Sequence, residues 1–566
     1  MYAEKHGGDD WQAGAPRVLL VVFSHLGCRR YPLRWPFKSA GETMNRDEMI
    51  GRLNSESFDI VIIGGGATGL GVAVDAASRG YRTALLESHD FAKATSSRST
   101  KLVHGGVRYL EQMNFSLVTE ALRERGIMAQ NAPHLVSNLA FVVPRYKWWE
   151  GPFYGIGMKL YDVLAGKLNI EPSKNLNRQE TIAAIPNVEQ EHLLGGIMYH
   201  DGQFDDARMA ITLARTAATE GAAIANYCPV TGLVKDNGRV IGVQTEDRET
   251  GIAFTIESKV VINATGIFSD TIRKLDDPSV RELIEPAQGV HLILDASFQP
   301  GANAIMVPHT DDGRVLFVIP WHDRVIVGTT DTPMQNAQLE PRALQEEISF
   351  ILRNAGRYMH REPSEADILS VFAGQRPLVH PEGKASDSKS ISRSHEVFVS
   401  QSGLVTIAGG KWTTYRKMAE DTMTHAIEIA GLHPTNCRTE QLHLHGYLKR
   451  ESADFPEEDY LRCYGTDAAA IERLAIENPK RASLLHEKLP YQEAEVVWAT
   501  KYEMARTVED VLARRTRSLL LDARASNEAA LKTAEIMAEQ LGYDRVWVDN
   551  QIASYKMLSN GYFPGR

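Results

Sequence analysis

Short apolar runs alternate with longer amphipathic stretches along this chain, and their order is informative before any single residue is. Phe58-Asp-Ile-Val-Ile-Ile63 is a nearly continuous apolar run, the pattern of a strand buried on both faces of a parallel sheet. A glycine-rich turn follows. Small and apolar residues at helical spacing over 67–79 then predict a helix, and Arg82-Thr-Ala-Leu-Leu-Glu87 predicts a second buried strand. Polar loops and helices fill 90–137. A helix is expected over 205–220, with short strands near 222–227 and 239–246. Lys259-Val-Val-Ile-Asn-Ala264 is another apolar strand that ends in a glycine turn.

The pattern changes at 289–331. Val290–Leu294, Ala304–Val307, Val315–Trp321 and Arg324–Gly328 follow one another closely, and the last two are joined by the tight His322-Asp323 connection. That is a hairpin signal, so an antiparallel sheet of about 286–360 is expected, placed to roof a ligand site. Val397–Ser400 and Leu404–Ala408 bracket a Ser402-Gly403 turn, and Gly409-Gly410 opens a helix reaching about Ala430. From about 440 the chain is rich in Ala, Glu, Leu and Arg at helical spacing, which reads as a separate helical domain over 440–560. No internal repeat or low-complexity tract is evident.

Composition narrows the class. The chain has 566 residues, 43% hydrophobic and 24% charged, with a formal net charge of −10. The length suits roughly two to four domains, and the apolar content is enough for a sizeable core. The acidic balance argues against broad nucleic-acid binding. The four cysteines, Cys28, Cys228, Cys437 and Cys463, form no C-x-x-C pair. A reducing compartment therefore fits better than a disulfide framework or zinc cluster. His443-x-His445 lacks a third ligand at suitable spacing, so no metal site is expected. No apolar run reaches the roughly 20 residues that cross a bilayer. In Val18–Phe23 the positive charges follow the apolar residues, opposite to a secretory signal. Residues 1–50 are read as an extension outside the fold, with Met44 or Met49 as candidate starts and a short targeting segment as the alternative. The folded oxidoreductase region is expected over 56–430.

Gly64-Gly65-Gly66-Ala67-Thr68-Gly69 fits G-x-G-x-x-G between a strand and a helix. Gly64 permits the tight turn, Gly66 lets backbone approach a pyrophosphate, and Gly69 packs helix on strand. The helix start offers free N–H groups and partial positive charge to phosphates. Glu87, at the end of the next strand, is placed to bind a ribose hydroxyl. The fold class is α/β, with a dinucleotide-binding, Rossmann-like domain, an antiparallel substrate domain and C-terminal helices. The turn alone does not separate FAD from NAD. The following segment, Thr95 to Leu110, crowds hydroxyls, glycines and basic groups into one loop, which suits a long phosphate-bearing ligand.

Several further segments occur in a fixed order. They are Thr95-Ser96-Ser97 with Lys101, His104-Gly105-Gly106-Val107-Arg108-Tyr109-Leu110, Asn263-Ala264-Thr265-Gly266 and Gly328-Thr329-Thr330-Asp331. Arg376-Pro377-Leu378 and Gly409-Gly410-Lys411-Trp412-Thr413-Thr414-Tyr415-Arg416 complete the set. Together with the glycine turn they resemble the FAD-dependent, quinone-linked glycerol-3-phosphate dehydrogenase family, over about 58–545. Trp412 stands where a smaller apolar residue is expected. The resemblance implies FAD as cofactor, contacted by Gly64, Gly66, Gly69, Glu87, Thr95, Ser96, Ser97, Lys101, His104, Gly106, Ala264, Gly266, Gly410, Lys411, Thr413 and Thr414.

It also implies oxidation of sn-glycerol 3-phosphate to dihydroxyacetone phosphate, with electrons passed to a quinone. Arginine forks match phosphate oxygens, and Arg108, Arg376 and Arg393 match family arginines; with Tyr109 they form the expected substrate site. His291 matches a family histidine and is the candidate base, the alternative being a hydrogen-bonded core histidine. Lys411, after two glycines at a helix start, is expected to stabilise the reduced flavin; His291, Arg108 and Lys411 are the expected catalytic set.

A glycerol-3-phosphate oxidase, using oxygen and releasing hydrogen peroxide, shares these residues and stays open. An amino-acid oxidase would need a carboxylate clamp instead, and a non-catalytic flavin subunit would not need Lys411 or the arginines. Residues 145–168 interleave basic and aromatic side chains, such as Lys147, Trp148, Trp149, Phe153, Lys159 and Lys167. That suits either a membrane interface or a core helix with its loop. The expected location is cytoplasmic, on the inner face of the cytoplasmic membrane as a peripheral protein. Association as a homodimer is left open.

Overall fold

The computed structural model describes residues 44–106, 115–166, 170–379, 395–456 and 459–564. Phe58–Ile63, Thr83–Leu86 and Ala223–Ala225 line up in parallel, and Ile252–Asn263 and Val405–Gly409 extend the sheet on the other side of Phe58–Ile63. Ile60, Val61, Ile62, Leu85 and Val261 are fully buried, as strands covered on both faces must be. The helices Ala67–Ser78, Asp206–Thr219 and Tyr415–Ala430 contribute to the same core.

The fold begins earlier than the apolar pattern indicates. Residues 46–55 form a helix capped by Asn45, whose side chain accepts the Glu48 N–H at 3.1 Å. Met44, Met49 and Leu53 are buried in the core of the parallel sheet, and Arg46 pairs with Asp247 at 2.5 Å. The expectation that everything to residue 50 lies outside the fold is therefore corrected for 44–50. Its three anchoring side chains are spaced too sparsely among polar residues to register as a core helix.

The antiparallel roof is larger than the expected 286–360. Among the described residues ten strands form it, including Leu102–Val103, Val136–Arg145, Lys174–Asn177 and Gly195–Phe204 from earlier in the chain and Ile368–Val379 from later. It is antiparallel except where Ala304–Val307 runs parallel to Val136–Arg145. The longest pairing joins Ile284–Asp295 to Ile368–Val379. The hairpin at His322-Asp323 is present, with φ of 42° and 40° at its two turn residues, the left-handed geometry that suits two-residue hairpins. The C-terminal helices, from Asp459–Arg462 to Arg545–Ser559, share a hydrophobic core with the roof: Phe141, Ile293 and Phe372 pack in one cluster with Leu512, Leu520 and Met537. Residues 41–566 accordingly form one compact unit.

Candidate functional site

The glycine turn is built as its spacing requires. Gly64 has φ +108°, and a Cβ there would lie 2.7 Å from the Ala264 carbonyl oxygen. A Cβ at Gly69 would sit 1.9 Å from the Gly64 carbonyl oxygen, an impossible contact between two pieces of backbone. At Gly66 a Cβ would meet the Ser96 hydroxyl at 3.1 Å. Glu87 braces the turn: its carboxylate accepts the Gly65 N–H at 2.6 Å and the His89 N–H at 2.8 Å. Burial pushes this carboxyl up from the ordinary range, against those two backbone bonds.

A cavity of about 400 Å³ runs along this turn. Gly64, Gly66, Glu87, Thr95, Ser96, Ala264 and Gly266 border it on one side, and Gly410 and Lys411 reach it from another. Gly410 has φ +78°, the left-handed backbone that favours glycine, and a Cβ there would push on the Met418 side chain. The two sides are tied together where the Trp412 indole N–H donates to the Ser96 carbonyl at 2.8 Å. The Ser96 hydroxyl in turn accepts the Ala67 N–H, in the first turn of the helix, at 2.9 Å. The large residue at 412 thus has a defined structural task.

Other expected contacts fall elsewhere. Gly69 acts through packing. Thr413 and Thr414 are buried in the short helical turn after Lys411. Ser97, His104 and Gly106 are not among the residues that border the cavity. Lys101 is wholly buried, and its ammonium donates to both Asp206 carboxylate oxygens, at 2.8 and 2.7 Å, and to the Ser97 carbonyl at 2.8 Å. Burial, with Arg517 beside it, pushes this lysine down to about 7 despite Asp206. Arg108, Tyr109 and Arg393 lie outside the described residues.

The roof supplies the remaining candidates. His291 is 2% exposed. Its ring stacks on Phe372, with centroids 4.8 Å apart and planes 14° apart, and Nε2 lies 2.9 Å from the Thr100 hydroxyl. Burial first, then the positive charges of Lys101 and Arg376, holds this imidazole well below its ordinary value, so it is neutral at pH 7. Arg376 sits on the neighbouring strand and bonds Asp331 at 3.1 Å and the Thr330 carbonyl at 3.2 Å. Gly289 makes room for it, since a Cβ there would lie 2.5 Å from Arg376 Nη2. The same strand borders the cavity at Pro377 and meets the Thr95 hydroxyl at the Gln375 carbonyl, 2.7 Å away. Sequence reasoning did not single out Thr100 or Phe372; their partner His291 is distant in the chain, and no local spacing signals the contact.

A dinucleotide cradle on a mainly parallel sheet, roofed by a mainly antiparallel sheet that carries a neutral histidine and an arginine, defines a flavin-linked oxidoreductase. Residues 59–416 match the FAD dependent oxidoreductase family, and residues 405–546 match the C-terminal domain of alpha-glycerophosphate oxidase. The chain is 40% identical to the mitochondrial glycerol-3-phosphate dehydrogenase of Mesocricetus auratus, across 94% of this chain and 76% of that protein. The Homo sapiens enzyme of the same name is also 40% identical, across 94% and 78%. Among solved structures, the glycerol-3-phosphate dehydrogenase from Bacillus halodurans complexed with FAD is 30% identical, with a TM-score of 0.73 over 92% of this chain and 97% of that one. The chain belongs to the family of FAD-dependent glycerol-3-phosphate dehydrogenases, and its cofactor is FAD. Its own residues fit that group: glycines where a Cβ would block the approach, a helix start, a carboxylate at Glu87 and a cation at Lys411.

Proposed function

We propose that the protein oxidises sn-glycerol 3-phosphate to dihydroxyacetone phosphate, with the hydride delivered to FAD and the electrons passed on to a quinone. Bound FAD supplies a two-electron acceptor. The observation that carries the reading is the juxtaposition of His291 and Arg376 on adjacent roof strands. An arginine fork suits a phosphate dianion, and a neutral imidazole suits the proton of a hydroxyl. The two requirements also support each other. Arg376 is one of two cations that hold His291 neutral, and a phosphate brought to Arg376 offsets that cation, making the imidazole a better proton acceptor as substrate arrives. Lys411, at the cavity edge, places positive charge where the reduced cofactor would be anionic.

The site of action in this proposal is a membrane surface, the inner face of the cytoplasmic membrane, with the protein bound peripherally. No helix among the described residues is long and apolar enough to cross a membrane. Support for surface binding comes from the helix Glu150–Ala165 and the turn before it, where Trp148 is 80% exposed and Val163 74% exposed.

The deciding experiment mixes the purified holoprotein with sn-glycerol 3-phosphate without oxygen and follows flavin absorbance. Bleaching is expected, and a flavin that stays oxidised sinks the proposal. Reoxidation by a soluble quinone much faster than by oxygen is expected of a dehydrogenase; the reverse order would assign an oxidase.

A further inference from the structure

Three constraints fix the His291 ring. Phe372 stacks on it from the strand on one side. Gly328 faces it from the strand on the other, where a Cβ would lie 2.5 Å from His291 Cδ2. The Thr100 hydroxyl holds Nε2 at 2.9 Å. What remains is Nδ1, which is buried and has no hydrogen-bond partner among the described residues. A buried, unpaired imidazole nitrogen costs stability unless something else meets it.

Thr100 is itself held by its neighbours. The Ser99 N–H and hydroxyl both donate to Asp206, at 2.9 and 2.7 Å, and Lys101 donates to the same carboxylate. Arg517 adds a second cation to Asp206 at 2.9 Å. Asp206 therefore pins the residues before and after Thr100, and among the described residues the Thr100 hydroxyl bonds the imidazole alone.

We propose that Thr100 is a positioning residue: it accepts the His291 Nε2–H and so fixes the tautomer whose Nδ1 lone pair receives the substrate hydroxyl proton. As the C2–H bond gives up its hydride to bound FAD and the C2–O bond becomes a carbonyl, that proton passes to Nδ1. Substrate oxidation and cofactor reduction balance, and no other reactant is needed. The inference rests on the proposed function above and adds to it the residue that selects the working nitrogen.

The test compares holoprotein carrying Thr100→Val, which keeps the shape and removes the acceptor, with Thr100→Ser, which restores it. Thr100→Val is expected to keep wild-type FAD content and to bind dihydroxyacetone phosphate, read from flavin absorbance, within about twofold. Its kcat should fall roughly tenfold, as loss of one buried hydrogen bond to an ionising group allows, with KM little changed. An acceptor on Nε2–H favours the protonated ring, so its removal should move the acidic limb of the kcat/KM profile to lower pH. Thr100→Ser should recover most of both effects. An unchanged kcat and profile overturns the proposal. So does a limb that moves to higher pH, which would mean that Thr100 donates to Nε2 and Nδ1 carries the proton. A Thr100→Ser variant as slow as Thr100→Val would reduce Thr100 to a packing residue. In each of these cases wild-type flavin still bleaches with sn-glycerol 3-phosphate. If it does not, the functional reading falls as well, and the two failures are told apart.

Discussion

His134 shows how one side chain can tie stability to pH. It is buried where the Gly446 and Gly465 turns approach it closely. Burial, then the nearby His445 and Arg208, pushes the ring down to about 3. Between pH 6.5 and that value the unfolded chain holds a proton on this residue and the folded chain does not. Stability should therefore fall as pH drops below 6.5, by up to about 1.4 kcal/mol per pH unit from this group. Urea unfolding midpoints measured from pH 7 to 5 check this, because most carboxylates stay ionised there. His134→Leu should show a shallower decline; an identical slope would mean that another group controls it. The placement of the glycine turn and of Glu87 beside it was legible in the sequence because it is local: strand, turn, helix and acid lie within one short stretch. Lys101 was not, because the carboxylate that captures it lies 105 residues away, and a lysine in a polar loop looks the same whether or not such a partner exists.

Among elements, the wide helical turn Asp510–Arg515 joins the C-terminal helices to the cofactor region. Arg514 and Arg515 both reach Asp90, with Arg515 Nη2 2.9 Å from Oδ1. All three side chains are essentially buried. Asp90 opens the loop that continues through Ala92 and Thr95 along the cavity. Asp90→Ala would leave two arginines without their shared carboxylate, at a cost of about 3–5 kcal/mol. The expected result is a matching loss of unfolding free energy in urea. A loss under about 1 kcal/mol would show that Glu509 and Asp510, which also bind Arg514, suffice without Asp90. Elements with strong local signals, such as Phe58–Ile63 and the 322–323 hairpin, were legible for the same reason as the glycines. The full roof was not: its sheet recruits Val136–Arg145 and Gly195–Phe204 through pairings that no periodicity encodes.

For the whole molecule, the proposed membrane site has to be reconciled with a net charge of −10. Long-range attraction to anionic lipid is weak for such a protein, so docking has to come from a local apolar surface with cations beside it. The helix Glu150–Ala165 is built for two sides. Tyr154, Met158 and Tyr161 are buried, and the Tyr161 hydroxyl bonds Asp201 at 2.6 Å and the Gly105 N–H at 2.8 Å. Trp148, Val163 and Leu160 remain exposed, with Lys147 and Lys159 among them. The inner side links the helix to the His-Gly-Gly segment through Gly105. Full burial of a large apolar side chain contributes about 1.5–3 kcal/mol. Trp148→Glu with Val163→Glu should therefore cut binding of the holoprotein to vesicles of mixed neutral and anionic lipid at least tenfold in a sedimentation assay. Anaerobic flavin bleaching by sn-glycerol 3-phosphate should stay unchanged, because neither side chain borders the cofactor cavity. Vesicle binding at the wild-type level would remove this surface from the proposal. Lost bleaching would show that the helix serves the active site from within.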